Sequence, residues 1–150
     1  MDSDRFDLQR FTNAQAGVIE AVRAELAEGR KASHWMWFVF PQIAGLGSSP
    51  MSRRYAITSR AEAAAFLADP VLGSRLAECA GLAERWGREG RSAEAVFGPV
   101  DAMKFRSSMT LFAEVAGRKS VFGRNLDLFF AGEADPATLS RLEALGPLVS

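Results

Sequence analysis

"SRAEAAAFLADPVLGSRLAECAGLA", residues 59–83, carries the punctuation of two helices and of no strand. Ser59 followed by Glu62 has the form of a capping box, in which each side chain satisfies a free N–H at a helix start. The helix predicted there runs through Phe66 and Leu67 to Asp69. Asp69-Pro70 then restarts the chain. Aspartate is a good cap, and proline at the first helical position loses an N–H that had no partner anyway. Leu72, Leu76, Cys79, Ala80 and Ala83 follow at spacings of three and four, one face of a 3.6-residue period.

The same signals recur in both directions. Asp7 is read as the cap of a first helix bearing Leu8 and Phe11. That helix continues, through a bend near Gly17, into "VIEAVRAELAEG" with Val18, Val22 and Leu26 four apart. Gly29 is its stop. Ser92 opens a short helix closed by Gly98-Pro99. Asp101 is read as the cap of a helix running to Ala116, Ser120 opens "VFGRNLDLFFAG", and Asp135-Pro136 opens "ATLSRLEALG". No stretch alternates apolar and polar residues like a strand. The expectation is an all-α protein: one compact, irregular helical domain over residues 1–150 with about seven helices. Two gaps, 30–58 and 86–100, lie between the clear helices, and long irregular stretches in compact domains tend to be functional or disordered.

Composition narrows the function. Of 150 residues, 48% are apolar and 24% charged, as in ordinary globular proteins. Eighteen basic residues balance eighteen acidic ones, so no bulk nucleic-acid binding is expected. One Cys and one His exclude an internal disulfide and disfavour a zinc site. No metal and no cofactor are predicted. The acidic start, "MDSDRFDLQRF", lacks the design of a signal peptide, and Trp35–Phe40 is far too short to span a bilayer. A cytoplasmic protein without a membrane partner is expected.

The first gap contains "SHWMWFVFPQIAGLG", residues 33–47, with the single histidine and two of three tryptophans. It is too apolar to be disordered. Trp35, Trp37, Phe38 and Phe40 are either core or the wall of a ligand site, since aromatic side chains serve both ends. His34 belongs to the residue type that titrates near physiological pH and is the best candidate for an acid or base. Its plainer role is a structural hydrogen bond.

"VDAMKFRSSMTLF", residues 100–112, is the second candidate. On a helical wheel Phe105, Met109, Phe112 and Ala116 form an apolar face. Lys104 and Ser108 share the adjoining stripe, Ser107 borders it, and Arg106, Thr110 and Ala113 lie on the far side. A lysine and two hydroxyls near a helix start suit an anion, because the free N–H groups and the helix dipole have the right sign. The plainer reading pairs Lys104 with Asp101 and lets the serines bond back to the helix. Cys79 reads as buried packing, and "GLGSSP" lacks the lysine and context of a phosphate loop.

"FDLQRFTNAQ", "GRKASHWMWFVFPQIAGLG", "YAI" at 55–57, "DPVLGSRL" and "DAMKFRSSMTLF" together resemble a bacterial family, the one numbered 1810 among domains of unknown function. The resemblance spans about Phe6 to Leu142 and implies a mainly helical fold. Members often carry the label calpastatin. That label is not carried over, because calpastatin is a disordered inhibitor of a calcium protease and this chain has a globular composition. The resemblance brings no established activity and hence no catalytic residue.

The function expected is binding, with or without processing, of a small anionic or nucleotide-like ligand in an aromatic pocket. His34, Trp35, Trp37, Gln42, Lys104, Ser107 and Ser108 would line it. The alternative is an interaction or self-association module that docks a partner, or a second copy in a homo-oligomer, through the aromatic segment 34–43.

Overall fold

The computed structural model describes residues 4–146. Ten helices occur among them: α1 (Gln9–Ala16), α2 (Ile19–Ala27), α3 (Met36–Val39), α4 (Pro50–Arg54), α5 (Arg60–Ala68), α6 (Leu72–Arg88), α7 (Ala93–Phe97), α8 (Pro99–Ala116), α9 (Val121–Phe130) and α10 (Pro136–Leu145). The all-helical expectation holds, but the number does not. The first predicted helix is two, broken at Gly17-Val18, and the gap 30–58 contains α3 and α4. At four and five residues, these are too short to show a period. A lone parallel bridge, Ile43 to Ile57, ties the two sides of that segment together.

Several starts are where the punctuation puts them. Ser59, Ser92, Ser120 and Asp135 each accept a hydrogen bond from the backbone N–H three residues on. Three details differ. Asp7 is not the cap of α1: the Asp4 carboxylate accepts from the N–H groups of Leu8 and Gln9, and Asp7 itself takes a left-handed turn at φ 54°. α8 starts two residues before Asp101, with Gly98 at its cap position. Asp69 accepts from Val71 and Leu72, both at 2.9 Å, so it caps a turn that delivers α6 at Leu72 rather than at Pro70.

Gly29 ends α2 as expected. Its φ of 72° lets Arg30 donate to the Glu25 carbonyl and Gly29 to the Leu26 carbonyl, a Schellman closure. A side chain at Gly29 would strike the Trp86 ring, whose Nε1 donates to the Leu26 carbonyl at 2.8 Å.

The buried side chains form one continuous core. α8 runs through its middle, packed on α3, α5, α7, α9 and α10. From Ser107 to Ala113 every residue of α8 is buried, so the side carrying Thr110 and Ala113, expected to face outward, is covered too. A helix apolar on one stripe only would face water on the other; here the docked start of α10 covers that side, with Asp135 N–H donating to Thr110 Oγ1 at 2.8 Å. Aromatic rings knit the core in two groups. Phe105 stacks on Phe97 at 4.4 Å and meets Phe40 edge-on at 5.1 Å. Phe66 meets Phe11 edge-on at 5.0 Å and reaches Phe112 at 5.5 Å.

A buried ion pair joins the N-terminal helices to the segment that follows. Glu62 is 2% exposed and accepts from Arg10 at 2.9 Å and from the N–H and hydroxyl of Thr58 at 2.8 and 2.7 Å. The capping box is therefore offset by one residue, with Glu62 reaching back to Thr58 rather than Ser59. Arg10 also donates to the carbonyls of Phe6, Asp7, Arg54 and Ala56.

Candidate functional site

The aromatic segment begins on a carboxylate. Glu25 accepts from Ala32 N–H at 2.7 Å, from both the N–H and the hydroxyl of Ser33, and from Trp35 Nε1 at 2.9 Å. Partial burial pushes its pKa up, but the hydrogen bonds of Ser33, Ala32 and Trp35 together outweigh this and hold it at about 2, against an ordinary 4.5. A carboxylate with a lowered folded pKa stabilises fully above its unfolded value and loses that contribution as pH falls through the folded one. Glu25→Gln is therefore expected to cost about 1–3 kcal/mol at neutral pH. The difference from the parent should close as pH falls from 4.5 towards about 2. Urea unfolding of both proteins across that range measures it; a gap independent of pH would assign the loss to packing rather than charge.

From this anchor the segment turns inward. Trp35, Met36, Phe38, Val39, Phe40, Pro41 and Ile43 are buried, and Gln15 Nε2 holds the Phe38 carbonyl at 2.7 Å. Two lysines connect the segment to α8. Lys31 Nζ lies 2.8 Å from Asp101 and 5.0 Å from the Trp35 ring centre. Lys104 Nζ lies over Trp37, 5.2 Å from its ring centre, and 3.6 Å from the same aspartate. So the two strings singled out in the sequence do meet.

Beside this junction opens a cleft of about 330 Å³. Gln42, Leu46, Gly47 and Ser52 border it from the segment between α3 and α5. Val100, Met103, Lys104, Arg106 and Ser107 border it from α8, and Asp135 and Ala137 from the start of α10. Its polar groups are held by the fold. Ser107 Oγ lies 2.8 Å from Asp135 Oδ2, which also accepts from the N–H and hydroxyl of Thr138 at 3.3 and 2.6 Å. Arg106 donates to the carbonyls of Glu133 and Ala134. A neighbouring hollow of about 370 Å³ shares Met103 and Arg106 and is walled by Phe129 and Phe130.

Of the residues expected to line a site, Gln42, Lys104 and Ser107 border the cleft. Trp37 is half-buried beneath Lys104. Trp35 is wholly buried with its indole N–H on Glu25, and His34 is exposed on the loop before α3; neither borders the cleft. Ser108 is wholly buried and its hydroxyl has no partner among the described residues. Sequence reading missed Asp135, Arg106, Ser52 and the apolar walls Leu46, Val100 and Met103. Asp135 carried a signal, but only as a helix cap. Cys79 is buried, and burial pushes its thiol up to about 12, so it packs rather than reacts. Among the described residues no helix is long and apolar enough to cross a membrane.

The described residues form a helical domain with a charged cleft beside a core-building aromatic segment. The chain belongs to the family described as protein of unknown function DUF1810, whose model matches residues 5–142. It is similar to the conserved hypothetical protein Rv1873 from Mycobacterium tuberculosis, known from a crystal structure at 1.38 Å. The two share 49% identity over 93% of this chain and 99% of that one, with a TM-score of 0.88. No curated protein matches this sequence.

Proposed function

We propose that the cleft binds a small ligand through an anionic group, with Lys104 as the electrostatic anchor. The observation that carries this is the charge count at α8. One carboxylate, Asp101, faces two ammonium groups, and Lys31 holds it at 2.8 Å while Lys104 stands at 3.6 Å. One positive charge is left over at the cleft, on a side chain only 23% exposed. Its ammonium lies over the Trp37 ring, a cation–π contact that helps to hold it there. The aromatic residues support the site from behind rather than wall it, so stacking on a base is not part of this reading. The cleft volume sits at the small end of the roughly 300–1,000 Å³ usual for ligand pockets, which suits a small metabolite. Docking a partner through segment 34–43 has less to recommend it, since that segment's apolar side chains are almost all in the core.

Thermal-shift screening against sugar phosphates and nucleotides tests the proposal. Lys104→Ala is expected to melt within a few degrees of the parent without ligand and to bind each hit about tenfold or more weakly. A Lys104→Ala protein that binds every hit as well as the parent would remove the lysine, and with it the anionic reading.

A further inference from the structure

The charges around the cleft do not all cancel locally. Arg106 is committed to the Glu133 and Ala134 carbonyls and stands 3.9 Å from the Glu133 carboxylate. Asp101 serves Lys31 first, which leaves Lys104 in surplus. At the start of α10, Asp135 has three donors, the Ser107 and Thr138 hydroxyls and the Thr138 N–H, and all three are neutral. All three also converge on Oδ2. Among the described residues, Asp135 Oδ1 takes no hydrogen bond and no cation lies within ion-pair distance of this carboxylate. Asp135 borders the cleft, and its Oδ1 is not among the buried unpartnered atoms, so it is an acceptor in contact with solvent. The Gln42 amide, also at the border, is likewise without a partner among the described residues. The cleft is thus bordered by one ammonium in surplus over its carboxylate, Lys104, and by one carboxylate with no cation beside it among the described residues, Asp135.

We infer that the cleft takes a small zwitterion, with its anionic group at Lys104 and a protonated amine at Asp135 Oδ1. This rests on the anionic reading above and adds the second pole. A ligand with only an anion would cover Asp135 with nothing to replace water at Oδ1, and a desolvated, unpaired carboxylate is costly. An ammonium group gives that oxygen a charge-assisted hydrogen bond and leaves the filled cleft electrically balanced. Gln42 can serve either pole, since its amide both donates and accepts. An amino acid is the simplest molecule of this class.

The test uses the full chain labelled with nitrogen-15, titrated with the common amino acids to millimolar concentration. For each amino acid that binds, its N-acetyl derivative supplies the anion alone and its amide the cation alone. At least one free amino acid should shift the amide signals of Gly47, Ser52, Ser107 and Ala137. Both derivatives should bind about tenfold or more weakly. Asp135→Asn keeps the α10 cap, because asparagine caps as well as aspartate. It should abolish the preference for the free amino acid over its N-acetyl form. Lys104→Met should weaken both of those. If the N-acetyl form binds the parent as tightly as the free amino acid, the ammonium pole is wrong while the anionic reading stands. If no amino acid shifts the cleft amides, the zwitterion is overturned, and the sugar-phosphate screen alone decides the anionic reading. Should Asp135→Asn fail to fold, the comparison of the three ligand forms on the parent protein settles the matter unaided.

Discussion

Arg10→Ala is expected to destabilise the protein by about 3–5 kcal/mol, the range for breaking a buried ion pair from one side. The substitution leaves the Glu62 carboxylate, 2% exposed, with Thr58 as its other bonded partner besides the chain's own cap geometry. It also strips donors from four backbone carbonyls, those of Phe6, Asp7, Arg54 and Ala56. Chemical denaturation of the single variants and of Arg10→Met/Glu62→Gln gives the check. The double variant should lose less stability than the sum of the single losses, because removing both charges leaves none stranded. An Arg10→Ala protein within about 1 kcal/mol of the parent would show that Glu62 rehydrates by a local shift, against the burial seen here.

Phe105→Ala should cost a comparable amount, about 3–5 kcal/mol, through the cavity it leaves. The Phe105 ring is fully buried on α8 and touches the rings of Phe40, Phe97, Phe129 and Phe130. Those rings come from the aromatic segment, α7 and α9, so the vacancy opens where four chain segments meet and cannot be filled by moving one of them. Met103, two residues earlier and 73% exposed, is the internal control: Met103→Ala should stay within about 0.5 kcal/mol of the parent. Equal losses for the two would mean that α8 is oriented differently.

The helices that announce themselves are those whose ends are settled by local chemistry. Ser59, Ser92, Ser120 and Asp135 cap through their own side chains, and Gly29 stops α2 through its own backbone freedom. What stayed hidden needs a partner from elsewhere. Asp4 reaches α1 only because Asp7 turns the chain back. α3 is held by neighbours rather than by period; α4 has a local cap, Ser49 accepting from Ser52 N–H ahead of Pro50, but at five residues it shows no period. Thr110 and Ala113 look outward on a wheel of α8 alone, but both are buried, and at Thr110 the start of α10 docks there. The site divides in the same way. Lys104 and Ser107 were visible because they share a helix face, and Gln42 because it follows a conspicuous aromatic run. Leu46, Ser52, Met103 and Asp135 come from three separate segments, and no spacing in the chain links them. Trp35 shows the converse: an unbroken apolar run cannot tell a wall from a core, and here it is core.

The bridge between Ile43 and Ile57 separates two levels of stability. The Ala44 N–H donates to the Ile57 carbonyl at 2.8 Å, and the Ile57 N–H to the Gln42 carbonyl at 2.9 Å. Between these bonds lies α4, none of whose residues is buried. Opening residues 46–54, with buried Tyr55 left in place, exposes mainly the partly buried Leu46 and Met51, so it costs far less free energy than global unfolding. In deuterated solvent, amides within 46–54 should exchange through this local opening, while those of Ala44 and Ile57 wait for a larger event. Because Leu46, Gly47 and Ser52 supply one wall of the cleft, an occupant would lock a wall that otherwise breathes. Protection appearing at those amides alone would report occupancy even for a molecule too weak to move the melting temperature.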